Sequence, residues 1–349
     1  MTPSRFVIAH GRFEAARRLP RLPPQSPGHG LHAHGFEARL RASAQHVAAP
    51  AAAQVQALRE RLAQALQPLQ YSDLNSLHEH PDDAWLADWL LRRADLPQAQ
   101  LELRSTPTQG VCGQAQQGFD SLRRYRFLAA HFLPHVPAGH QCGRLHGHAF
   151  EVELRAAQAD FATLDGHWQA LAPQLEHSLL NDIDGLHNPT SEMLAAWIWQ
   201  RLQPGLAGLR SVTVLETASS GARFDGSAFV IWKEFHLDCA LRVRRAAAGS
   251  AAARLHGQTF RLRLRLSAPL HQVLGWVVDY GDVKSLFRPL FERLDHQALQ
   301  QVEGLEDADT GSVAAWVFDA CRPQWPELCG VDLLEADACG AALELPAWR

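Results

Sequence analysis

Apolar and polar positions along this chain change period in a fixed order, and the order recurs. From Ala52 to Leu69 apolar residues return every three or four positions, the spacing of a helix with one buried face. Pro81 to Leu91 reads as a second helix, with Asp82 and Asp83 placing negative charge at its N-terminal end. Ala99 to Ser105 reads as a closing strand, and the small, polar, glycine-bearing run Gln109 to Gly118 as a linker. Farther on, Tyr125 to Phe132 and Ala149 to Ala156 alternate apolar and polar residues as antiparallel strands do. Phe161 to His177 is helical, and Asn188-Pro-Thr-Ser-Glu192 opens another helix that Thr190 or Ser191 could cap. Arg210 to Thr217 is a further strand.

The early and middle stretches align residue for residue. From Arg12 to Ala42, a shift of 114 sets Phe13 on Phe127, Pro20 on Pro134, His32 on His146 and His34 on His148. Arg17 falls where His131 stands, a permanent cation in the place of an imidazole. A third copy begins near Val230. There Phe235 to Cys239 takes the place of Phe127 to His131, so Cys239 is expected where His131 stands, Gln258 where His148 stands and Ala252 where Cys142 stands. The order strand, strand, helix, helix, strand is thus expected three times, with units at 1–117, 118–229 and 230–349.

The middle copy alone carries a full set of chemistry-bearing side chains. His146 and His148 are one residue apart, so in a strand they point to the same face. With His131 from a neighbouring strand they supply three imidazole nitrogens, the protein ligands of a catalytic zinc that keeps its fourth position open. Cys142 lies close enough to act there as a base, its thiol more acidic beside a cation.

The run AAHFLPHVPAGHQCGRLHGHAFEVEL resembles the 6-pyruvoyltetrahydropterin synthase family, most closely its bacterial 6-carboxytetrahydropterin synthases. The likeness continues through Leu179 to Asp182, Asn188 to Glu192, Trp197 to Trp199 and Leu215 to Thr217. The resemblance implies an α+β chain of three tandem T-fold (tunnelling-fold) units, each an antiparallel sheet with two helices. Together they would close into a pseudo-trimeric β-barrel ring, monomeric or as a homodimer of two stacked rings. It implies Zn2+ on His131, His146 and His148, catalysis by Cys142 with the pair Asp295 and His296, and pterin binding by Glu216, Glu192 and Thr190. The third copy alone keeps Leu294-Asp295-His296, so one complete site is expected between the second and third units. Glu176-His177 is the competing pair.

The implied reaction converts 7,8-dihydroneopterin triphosphate to 6-carboxytetrahydropterin, the queuosine-precursor chemistry. The alternatives are retro-aldol cleavage of a dihydroneopterin to 6-hydroxymethyl-dihydropterin for a folate- or methanopterin-like cofactor, or a pterin-binding scaffold without turnover. Composition narrows the setting further. A formal charge of −4 gives no nucleic-acid surface, and no run of about eighteen apolar residues could span a membrane. Six cysteines without regular spacing suggest reduced thiols, and with no signal-peptide pattern a cytoplasmic location is expected.

Overall fold

The computed structural model describes residues 2–346; residue 1 and residues 347–349, which the expected outer units include, lie outside it. Among the described residues twelve long strands form one antiparallel barrel. They are β1 (Ser4–Arg17), β2 (His32–Ser43), β3 (Gln100–Thr106), β4 (Gln109–Gln114), β5 (Gly118–His131) and β6 (His146–Ala156), then β7 (Leu209–Thr217), β8 (Ser220–Phe224), β9 (Phe229–Leu241), β10 (His256–Leu266), β11 (Leu328–Leu334) and β12 (Gly340–Glu344). The barrel closes where β12 pairs with β1, from Ser4 opposite Glu344 to Ile8 opposite Gly340. Closure leaves no unpaired edge among these strands.

Each third of the chain contributes two strands, two helices and two more strands. The helices are α1 (Gln54–Leu66) and α2 (Asp83–Arg93), α3 (Phe161–Leu171) and α4 (Ser191–Leu202), and α5 (Tyr280–Leu294) and α6 (Thr310–Cys321). Three separate apolar clusters lie between the helix pairs and the outer face of the barrel, one for each third. The strand alternation explains them. On β6, Phe150, Val152 and Leu154 are buried under α3 and α4, while Glu151, Glu153 and Arg155 face the other way. On that other face charged residues of different strands pair with one another, as in Arg104 with Glu153 at 2.8 Å and Arg265 with Asp332 at 3.1 Å. A buried phenylalanine such as Phe127 or Phe150 contributes about 1.5–3 kcal/mol by leaving water.

Two expectations are corrected here. Gln109–Gln114 is not a linker but strand β4, paired with β3 and, from Gln109 opposite Arg123 to Gln114 opposite Gly118, with β5. Its glycines allow strands to pass where a side chain would not fit: a Cβ on Gly113 would lie 2.0 Å from the Gly118 carbonyl oxygen. The second correction is register. His131 pairs with His146, and the residue that pairs with His256 is Leu241, not Cys239. Cys239 pairs with Gln258, as Ala129 pairs with His148. A shift of two residues keeps every side chain on its own face, so periodicity cannot expose the error.

The same places recur in all three thirds after the first helix. Tyr71, His177 and His296 all have left-handed backbone, with φ of 57°, 54° and 55°. Each donates its backbone N–H to a carbonyl of the first strand of its third, on Glu14, Leu128 and Asp238. Bulky residues seldom hold such φ values, so the packing around each must impose it.

Candidate metal centre

The ends of β5 and β6 bring the three expected imidazoles together. Ring centroids of His131 and His146 are 4.5 Å apart, those of His131 and His148 5.2 Å, and those of His146 and His148 5.1 Å. Phe127 and Phe150 stack one step farther along the same strands and hold this end of the hairpin against the core. His131 is 2% exposed, and its Nδ1 lies 3.0 Å from the Pro189 carbonyl oxygen at the entrance to α4. His146 Nδ1 lies 2.7 Å from the Arg144 carbonyl oxygen. A carbonyl only accepts, so both Nδ1 atoms carry the proton and both Nε2 atoms present lone pairs.

Glu216, near the end of β7, completes the group. Its Oε1 lies 2.9 Å from His148 Nε2 and 3.7 Å from His131 Nε2, and its Oε2 accepts from the Ser191 hydroxyl at 2.9 Å. One ligand atom from each of the four residues lies within 4.8 Å of the others. Despite the short contact, His148 Nε2 lacks the alignment of a hydrogen bond, and His131 Nε2 is likewise buried without a partner. Four ligand atoms this close together, two of them buried nitrogens without a partner, fit a cation among them. Three imidazole nitrogens and one carboxylate suit a borderline divalent ion. Burial holds the His131 imidazole below its ordinary pKa, which keeps it neutral as a ligand must be. Burial would raise Glu216, but the imidazoles of His148 and His131 and the Ser191 hydroxyl outweigh it and hold the carboxyl below its usual range.

The expected pterin residues lie beside the cluster. Glu192 is 2% exposed in the first turn of α4, and burial raises its pKa to about 7. Its Oε1 accepts the Val277 backbone N–H at 2.9 Å. Thr190 caps α4 by accepting the Met193 N–H at 3.2 Å, and its hydroxyl donates to the Gly275 carbonyl at 2.7 Å. Cys142 sits in a short turn, its N–H donated to His140 Nδ1 at 3.2 Å. Burial pushes its thiol pKa up, and Glu216 and Asp279 push the same way. Ionisation there depends on positive charge that the four-residue cluster would have to hold.

The third part of the chain reaches into this site through a strap between β10 and α5. Leu274 accepts from Asn188, Gly275 from Thr190, and Val277 donates to Glu192. Gly275 is left-handed at φ 69°, and a Cβ there would meet Asn188 Nδ2 at 2.8 Å, so the strap fits closely only with glycine. Asp279 caps α5 and faces His140 Nε2 at 3.4 Å. The Tyr280 hydroxyl is buried without a partner, its pKa raised by burial and by Glu192 and Glu216. This connection, from Leu266 to Tyr280, is longer than its counterparts from Ser43 to Gln54 and from Ala156 to Phe161. That Val277 acts through its backbone N–H has no sequence signal.

Asp295 and His296 are joined to each other, not to this cluster. His296 Nδ1 lies 2.8 Å from Asp295 Oδ2, and Asp295 Oδ1 accepts the Asp238 N–H at 2.8 Å. His296 is 76% exposed, and the Asp295 carboxylate raises its pKa. The pair follows the C-terminal end of α5. The competing pair, His177 Nε2 and Glu176 Oε1 at 3.3 Å, lies beside β5, where Glu176 also accepts the Leu128 N–H. Among the described residues no hydrogen bond or ion pair links either pair to the four-residue cluster.

The family model for 6-pyruvoyl tetrahydropterin synthase matches this sequence twice, over residues 122–227 and 230–345. Among curated proteins, the 6-carboxy-5,6,7,8-tetrahydropterin synthase of Synechocystis is 41% identical over 117 residues, spanning 29% of this chain and 89% of its own length. Among solved structures, the 6-pyruvoyl tetrahydropterin synthase of Caenorhabditis elegans is 16% identical, covering 32% of this chain and 92% of its own, with a TM-score of 0.30.

Proposed function

This chain belongs to the 6-pyruvoyl tetrahydropterin synthase family, and from that premise we propose that it is a zinc-dependent pterin lyase with one site per chain. The proposed reaction converts 7,8-dihydroneopterin triphosphate to 6-carboxytetrahydropterin, releasing acetaldehyde and triphosphate. The observation that carries the reading is the convergence of His131, His146, His148 and Glu216 with two buried, unpartnered Nε2 atoms. His131, His146 and His148 would hold the zinc, which when bound supplies Lewis acidity to the hydroxyls of the substrate side chain.

The chain's own residues divide the remaining work. Glu192 and Glu216 line the pocket that would take the amide and amino edge of a pterin, a pattern that a carboxylate meets with two parallel hydrogen bonds. Thr190 holds the strap over that pocket. Cys142 takes a proton from the carbon next to the ring, and Asp295-His296 moves a proton on the opposite side. The full chain is proposed as three units, at 1–117, 118–229 and 230–349, forming a whole ring by themselves, with a second ring able to stack on the first.

The test is zinc content together with turnover of 7,8-dihydroneopterin triphosphate. One zinc per chain and formation of 6-carboxytetrahydropterin, both lost in His146→Ala, support the reading. A chain that takes up no zinc overturns it. His296→Ala and His177→Ala, compared in the same assay, separate the two candidate proton-transfer pairs.

A further inference from the structure

The chain uses arginine almost everywhere for positive charge. Of its 33 lysines and arginines only two are lysines, Lys233 and Lys284, and both lie where the second and third parts meet. Lys233 is on β9 and points to the helix side of the barrel, where its Nζ donates to the Ser219 hydroxyl at 2.9 Å. Lys284 is in the second turn of α5, close enough that its charge lowers the pKa of Lys233, which burial lowers more strongly. Among the described residues neither has a carboxylate within ion-pair distance.

The repeat supplies the comparison. Arg123 pairs with Leu154 as Lys233 pairs with Leu264, so the two cations occupy the same place on their strands. Asp165, Lys284 and Arg59 each stand twelve residues before the left-handed residue of their third, His177, His296 and Tyr71. In the junction of the first and second parts the two positions are therefore Arg123 and Asp165, joined by two hydrogen bonds of 2.7 and 2.9 Å. In the junction of the third and first parts the helix position is Arg59, bound to Glu335 at 2.9 Å and Asp337 at 2.8 Å. Both of those junctions neutralise their charges internally. Only the junction carrying the metal cluster sets two ammonium groups near each other without a carboxylate in ion-pair contact, Glu216 and Glu234 acting on Lys233 only from farther off, an arrangement that an arriving anion would stabilise.

We propose that Lys233 and Lys284 form an anion subsite for a phosphate-bearing group of the ligand held at the adjacent metal cluster. This rests on reading that junction as the pterin pocket. Ammonium groups on flexible stems act on phosphate oxygens as point charges and adjust to a tetrahedral group without a fixed fork.

The test uses the zinc-loaded full chain titrated calorimetrically with inorganic triphosphate, with zinc measured before and after to exclude chelation. Lys284→Asp recreates the Arg123–Asp165 arrangement and keeps the fold by precedent within the molecule; Lys233→Met is the second variant, and a thermal melt checks each. Triphosphate affinity is expected to fall at least about tenfold in both, as for loss of a hydrogen bond to a charged group. Affinity for unphosphorylated 7,8-dihydroneopterin is expected to hold. Unchanged triphosphate affinity in both variants, or no triphosphate binding by the parent chain, overturns the subsite. Neither outcome depends on turnover, so it stands apart from the zinc and product assays of the proposed reaction.

Discussion

The first and second parts of the chain build the same corner from the same strands and fill it differently. In the second, His131 turns Nδ1 to the Pro189 carbonyl and Ser191 donates to Glu216, and ligand atoms of His131, His146, His148 and Glu216 gather within 4.8 Å of one another. In the first, Arg17 takes the place of His131 and donates to the matching Pro81 carbonyl at 3.0 Å. Its Nη1 also lies 2.8 Å from Asp83, with the two side chains 3% and 4% exposed, and Ser105 donates to Asp83 at 2.6 Å. The serine and the carboxylate have exchanged places: Asp83 and Ser191 each follow a helix cap, while Ser105 and Glu216 stand on the returning strand. One corner is closed by a cation that belongs to the chain, and the other gathers four groups that could hold one.

The largest effect that would sharpen this contrast is on turnover. Cys142→Ala is expected to lower kcat about 10²–10⁴-fold, the usual contribution of a positioned general base, while zinc content stays at one per chain. If zinc is lost together with activity, Cys142 is a ligand and not a base. Next is the closed corner: Arg17→Ala strands Asp83 and should destabilise the chain by about 3–5 kcal/mol in urea unfolding. The double change Arg17→Met with Asp83→Leu should recover most of that loss, and failure to recover would mean that the pair does more than satisfy itself.

A smaller effect concerns pH. Burial raises Glu192 from its ordinary 4.5 to about 7, so between these values the folded chain binds more protons than the unfolded one. Stability of the metal-free chain should therefore fall as pH rises from about 4.5 to about 7 and level off above. Glu192→Gln should flatten that segment of the curve, and equilibrium unfolding at several pH values would reveal an unaltered slope if Glu192 is not its source. Least is expected of Thr190→Val, which removes the cap of α4 and the hydroxyl bond to Gly275. Its thermal unfolding should show a loss of about 1 kcal/mol, and KM should rise more than kcat falls if the strap loosens.

Much of this was legible before any coordinates. The H-x-H spacing put His146 and His148 on one face, and the shift of 114 residues identified Arg17 as the counterpart of His131; the pairing of Arg17 with His32 agrees. The place of Leu241 is not legible in the sequence, because a slip of two residues preserves alternation and only hydrogen-bond register distinguishes the two alignments. Strand β4 carries only Val111 and Cys112 as apolar residues among glycines and glutamines, so its own pattern reads as a linker, and pairing with β3 and β5 on either side makes it a strand.

Glu216 shows the same division within the site. The sequence marked it as a functional carboxylate, but its contact with His148 and His131 depends on where β7 pairs with β6. The chain by itself determined which side chains are available, on which face each lies, and that the first and last thirds lack the full histidine set. Only the closed barrel decided that the strap from the third part covers Glu192 and that Asp295 holds the Asp238 backbone rather than a residue of the cluster. Those contacts join residues roughly 50 to 90 positions apart, and no local period encodes the meeting of elements that barrel closure alone brings together.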